Sequence, residues 1–127
     1  MQVSKKMLAL AGVAVVSMAA APAFAHHSFA MFDNQKDVTL DGTIKEFQWT
    51  NPHSWIQIVV KDSSGKEVEW SIEGGSPNGL SRSGWKRTSL KPGDKAVAVI
   101  HPLKDGTNGG SLVSVSVNGV KIGGART

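Results

Sequence analysis

Turn-forming clusters interrupt this chain at intervals of about 8 to 15 residues, from Asn51-Pro52 through Asp62-Ser63-Ser64-Gly65, the Gly-rich stretch from Gly74 to Gly84, Lys91-Pro92-Gly93-Asp94 and Asp105 to Gly110, to Asn118-Gly119. The apolar runs left between them have strand length and mostly alternate, so the mature chain is expected to be all-β with no long helix. Val38 to Trp49 is a strand with a bulge or bend at Asp41-Gly42. Ser54 to Val60 puts Ile56, Ile58 and Val60 on one face and Trp55, Gln57 and Val59 on the other. A turn at residues 62–65 then leads into Glu67 to Ile72, where Val68, Trp70 and Ile72 alternate. Gly74 to Lys86 carries four Gly and one Pro and is expected to be a loop with at most one helical turn, around Asn78 to Ser83. Lys95 to Ile100 and Ser111 to Val117 supply the fourth and fifth strands, with Val120 to Ile122 as a short edge.

Five short strands, a bent first strand, and a loop or helical turn between the third and fourth are the order of a small five-stranded OB-like barrel, with an open β-sandwich as the alternative. The absence of Cys removes disulfides, thiolate metal sites, iron–sulfur clusters and cysteine nucleophiles. Stability must therefore come from a packed core, and a closed barrel supplies one without leaving long open sheet edges.

The N-terminus has a different character. Lys5 and Lys6 precede an apolar run from Met7 to Ala20 and a small-residue segment ending Ala23-Phe24-Ala25. This is the pattern of a cleavable signal peptide helix, and the run is shorter than the roughly 20 residues a membrane span requires. Cleavage after Ala25 divides the chain into a 1–25 leader and a single 26–127 domain with no stable membrane span. The expected location is the periplasm of a Gram-negative cell, or the exterior of a Gram-positive one. The leader is expected to lie outside the barrel as a separate helix or arm. The whole chain has 14 Lys and Arg against 10 Asp and Glu. Removing the leader takes Lys5 and Lys6 with it, leaving 12 against 10, and the remaining cations are scattered. Nucleic acid is therefore not an expected partner.

All four histidines, His26, His27, His53 and His101, fall in the 26–127 domain. Cleavage after Ala25 makes His26 the terminal residue, whose free amine and imidazole can chelate one metal. An imidazole of His27, His53 or His101 would complete a nitrogen donor set suited to Cu(II). Cleavage one residue later leaves His27 in the terminal position. His53 follows Pro52 and His101 precedes Pro102, so both stand where the backbone is constrained. Each also has an ordinary structural role open to it: a solvated terminus for His26 and His27, a turn cap for His53, a strand end for His101. Whether the loops of His53 and His101 open at one end of the barrel is not fixed by the strand order alone.

Met31 is a candidate soft ligand, or core filling between Phe29 and Phe32. Of the four tryptophans, Trp55 and Trp70 are assigned by alternation to definite sheet faces and default to packing. Trp49 and Trp85 flank turns and, with Asn51, are the candidates for a ligand pocket. Glu46, Glu69 and Glu73 form no evident acid/base pair, and no nucleophile triad or phosphate loop occurs. Nothing in the residues calls for an enzyme, including one acting on an acidic cell-envelope substrate. The two functions favoured over such an enzyme are a copper-binding module built on the histidines, and a metal-free OB-like binding or assembly module for a small ligand or a periplasmic protein partner.

His26-His27-Ser28-Phe29-Ala30-Met31-Phe32-Asp33, Gly42-Thr43-Ile44, Trp49-Thr50-Asn51-Pro52-His53, Gly84-Trp85 and Lys91-Pro92-Gly93-Asp94 together give the chain a resemblance. It resembles a family of small exported bacterial proteins defined only as a domain of unknown function. The resemblance spans essentially the whole mature chain. It implies a periplasmic β domain and draws attention to His26, His27, His53, Trp49 and Trp85, without bringing an activity.

Overall fold

A computed structural model describes residues 29–123. After a short 3-10 turn, η1 (Phe29–Met31), come β1 (Val38–Gln48), β2 (Trp55–Lys61), β3 (Glu67–Glu73), α1 (Pro77–Arg82), β4 (Lys95–Pro102), β5 (Gly109–Val117) and β6 (Val120–Ile122). The strands lie in the order β3-β2-β1-β4-β5-β6, and a parallel pairing of β3 with β5 joins the two flanks. That joint closes β1 to β5 into a barrel, so the OB-like expectation holds and the open sandwich does not. Among the described residues no helix is long and apolar enough to cross a membrane.

β1 belongs to both halves of the barrel. Its first part pairs with β4, from Val38↔Ile100 to Thr43↔Lys95, and its second with β2, from Gly42↔Val60 to Gln48↔Trp55. Gly42 sits in the overlap, where a Cβ would collide with the Val59 carbonyl. Glycine is needed there for close backbone approach. The register shift itself falls between Ile44 and Glu46 rather than at Asp41-Gly42. Three-stranded pairing pins the backbone at Gly42, and the extra residue is accommodated just past the overlap, where β1 is paired on one side alone.

Alternation delivers the core. Ile56 and Ile58 of β2 stand opposite Ile72 and Trp70 of β3. They bury with Leu40, Ile44, Ala96, Ala98, Ile100 and Val115. The segment expected to be a loop holds one short helix. Ser76 caps α1 by accepting from the Gly79 N–H at 3.1 Å, and Pro77 opens it. A six-residue helix containing Gly79 is weak by itself, and burial of Leu80 against Trp85, Leu90 and the strands holds it in place.

Several strand boundaries differ from the sequence expectation by a residue or two, and three bear on the site. β3 runs on to Glu73 rather than ending at Ile72. β4 runs on through His101 to Pro102, and β5 begins at Gly109 rather than Ser111. At Gly110 a Cβ would lie 2.5 Å from the His101 carbonyl oxygen and 2.7 Å from Ile100 Cδ1. A run that looks like turn chemistry thus forms the close-packed start of β5, where β3, β5 and β4 meet.

Candidate functional site

Barrel closure places four residues in one lateral row. Trp55 pairs with Glu73, Glu73 with Ser111, and Ser111 with His101. The start of β2 and the end of β4 therefore share one end of the barrel, which answers the question the strand order left open. Ile56, Ile72 and Gly110 form the next row, and Ile56 and Ile72 point inward, so Trp55 and Glu73 belong to the outer face.

His53 precedes this row in a segment braced on both sides. The Thr50 hydroxyl donates to the His53 carbonyl at 2.8 Å. The Ser54 N–H donates to Gly75 O at 2.9 Å, and Gly74 N–H returns a bond to Ser54 O at 2.8 Å. The Asn51-Pro52 peptide is cis. On this frame the half-exposed imidazole directs Nδ1 onto Oε1 of Glu73. A carboxylate that accepts from Nδ1 leaves Nε2 as the ring nitrogen open to a further partner. Nε2 has no partner among the described residues. Glu73 is 8% exposed, and its Oε2 is buried with no hydrogen-bond partner among the described residues.

His101 is oriented in the same manner by different groups. Its Nδ1 lies 3.1 Å from the Lys36 carbonyl and 3.2 Å from Asp37 Oδ1, at the approach to β1. Ser111 stands between His101 and Glu73 in the row, so two strand spacings, roughly 10 Å, separate their backbones. The two histidines share a barrel end, yet each is tied to its own carboxylate. No cluster of three or more His, Asp or Glu able to hold a metal occurs among the described residues. His26 and His27 lie outside the described residues, as do the leader and its cleavage site.

The aromatic candidates separate by depth. Trp85 is a core residue, 2% exposed, with its ring centroid 5.9 Å from that of Phe47. Trp49 is half-buried and meets the other side of Phe47 edge-on at 5.7 Å. Asn51 is exposed in the loop ahead of Pro52. None of the three lines a described groove. Met31 is half-buried, and its carbonyl accepts from the Lys104 N–H at 2.9 Å.

Trp55, assigned to packing from sequence, instead lines an open groove of about 600 Å³ on the outer face. Glu73 and Ser71 of β3 lie beside it, with Gln48 and Thr50 from the end of β1 on one side. The opposite wall is the β4–β5 loop with Leu103, Thr107 and Asn108. Phe32 lines the groove too, and its segment is stitched alongside β4 by Asp33 N–H to Pro102 O at 2.8 Å and by an isolated bridge to Leu103. Glu73 is the residue that sequence reasoning missed. It belongs both to the pair with His53 and to the groove wall.

No curated protein and no solved structure matches the chain. Residues 13–113 match a family whose description is "Family of unknown function (DUF6152)". With that match covering most of its length, the chain belongs to the DUF6152 family.

Proposed function

We propose that the protein is an exported, periplasmic metal-binding module, with copper as its metal, in which His26 and His53 are the principal ligands. The observation that carries this is the His53–Glu73 pair. Metal-binding histidines characteristically donate one ring N–H to a carboxylate, which fixes the tautomer and raises the basicity of the ring nitrogen facing the metal. His53 has that arrangement, with a buried carboxylate on Nδ1 and a side chain that is about half exposed. Cleavage after Ala25 would add the His26 amine and imidazole. Imidazole and amine nitrogens together favour Cu(II) over the other common divalent ions. His26 stands three residues before Phe29, about 11 Å of extended chain at most. Phe32, a little further on, already lines the groove that Glu73 lines. His27 would take the terminal role if cleavage fell one residue later. His101 also has its Nδ1 held by a carboxylate and is the reserve ligand.

Mature protein starting at His26 should bind Cu(II) tightly, and the same chain carrying an extra Gly-Ser should bind it far more weakly. Equal affinities by competition titration would remove the terminal amine from the site.

A metal-free binding module is the second proposed function, and the groove beside Trp55 favours it. Its walls differ from the Trp49, Asn51 and Trp85 set expected from sequence, so the ligand surface would be the outer face of β2 and β3 with the β4–β5 loop.

A further inference from the structure

We infer that the groove beside Trp55 is a binding site for a neutral saccharide, a ligand class that follows from the chemistry of its walls. The inference deepens the metal-free binding function and does not depend on copper. Charge is the first discriminator. Among the described residues of the lining Glu73 is the only charged one, and its carboxylate is buried and already paired with His53. No Lys or Arg lines the groove among the described residues. An anion would find no counter-charge on the described walls, and a cation would compete with an imidazole for an occluded carboxylate, so these walls suit an uncharged ligand.

The second discriminator is the mixture of surfaces. Trp55 and Leu103 offer apolar area beside the nearly buried Phe32, while Gln48, Ser71 and Asn108 offer uncharged hydrogen-bonding groups around it. A sugar ring presents the matching pair: an apolar C–H face to lie on an aromatic ring, and equatorial hydroxyls that both donate and accept. A purely apolar ligand would leave the amide and hydroxyl side chains unpaired.

The third observation is preorganisation. The Ser71 N–H donates to Asn108 O at 3.1 Å, riveting the β4–β5 loop to β3. Within that loop Thr107 binds Asp105 Oδ1 through both its N–H, at 2.9 Å, and its hydroxyl, at 2.7 Å. Opposite, Gln57 Nε2 donates to Gln48 Oε1 at 3.4 Å, which leaves the Gln48 amide hydrogens for a ligand. Walls held this way lose little freedom on binding, which suits a ligand whose individual contacts are weak.

The test uses the Gly-Ser-extended mature chain in the presence of a chelator, so that failure of the copper site cannot affect the result. Chitotriose and maltotriose are titrated into ¹⁵N-labelled protein, with spermidine and citrate as charged comparisons. The expected result is saturable movement of the Trp55 indole and Asn108 resonances with at least one saccharide and none with the charged compounds. Trp55→Ala should weaken binding by roughly tenfold, from loss of the stacking face. Trp55→Phe should keep most of the affinity. Asn108→Ala, at an exposed loop position that leaves the fold alone, should weaken it independently. No saturable response to either saccharide, a response unchanged in both Trp55→Ala and Asn108→Ala, or a stronger response to spermidine or citrate would overturn the inference.

Discussion

Glu73 grips His53 Nδ1 with one carboxylate oxygen and buries the other without a partner among the described residues. The pair joins the end of β3 to the loop before β2, and it is where the proposed metal site and the outer groove meet. Glu73→Gln preserves shape and still leaves an acceptor for Nδ1, but it removes the charge that orders the ring and puts an amide where Oε2 was. Copper affinity should fall by roughly 10- to 100-fold, the usual effect of losing an outer-shell carboxylate. The ¹⁵N shifts of His53 should at the same time show a mixed tautomer population. Unchanged ring shifts would mean that Glu73 does not set the tautomer.

Gly42→Ala should destabilise the domain by about 1–3 kcal/mol, because the new methyl meets the Val59 carbonyl and neither strand can retreat from a three-stranded pairing. Urea unfolding measures this directly. A midpoint equal to that of the parent chain would show that β1 is not held from both sides at Gly42.

Ile58 is fully buried at the rung opposite Trp70. Ile58→Ala should cost about 2–5 kcal/mol, combining lost transfer energy with the cavity left behind. Val120→Ala, on the exposed edge strand, should change stability by less than about 0.5 kcal/mol. The contrast between the two tests whether the core lies inside the barrel formed by β1 to β5.

Asp62 titrates below the ordinary carboxylate range, chiefly because the Ser64 hydroxyl donates to it and then because the Lys66 N–H does. With the folded value lowered, its contribution is present above the unfolded value of about 3.9 and is lost as pH falls through the folded one. Asp62→Asn keeps an acceptor and deletes the charge. The variant should therefore be less stable than the parent at neutral pH, with the gap closing as pH falls from the unfolded value through the lowered folded one. A gap that persists in strong acid would show that the turn is held by something other than the carboxylate charge.

The β2–β3 hairpin could be read from the sequence almost completely. Alternation assigned Ile56, Ile58, Val68, Trp70 and Ile72, and the turn at Asp62 to Gly65 marked where the chain reverses. The same information could have found the site. The hairpin register pairs Trp55 with Glu73, which brings the acid to the start of β2, two residues past His53. What sequence could not supply is the Glu73↔Ser111 pairing, which forms only when distant strands close the barrel and which sets where His101 stands relative to His53. Trp85 was misleading for a related reason. A tryptophan next to a glycine turn resembles a pocket wall until α1 folds over and Leu80 and Leu90 bury it.

The most direct test of the metal-binding account is a Cu(II) titration of the mature chain with an authentic His26 terminus, comparing the parent with His53→Ala by competition affinity and electron paramagnetic resonance. The account predicts at least tenfold weaker binding in His53→Ala, with one fewer imidazole nitrogen coupled to the copper. Identical affinity and an identical nitrogen count in the two proteins would contradict it.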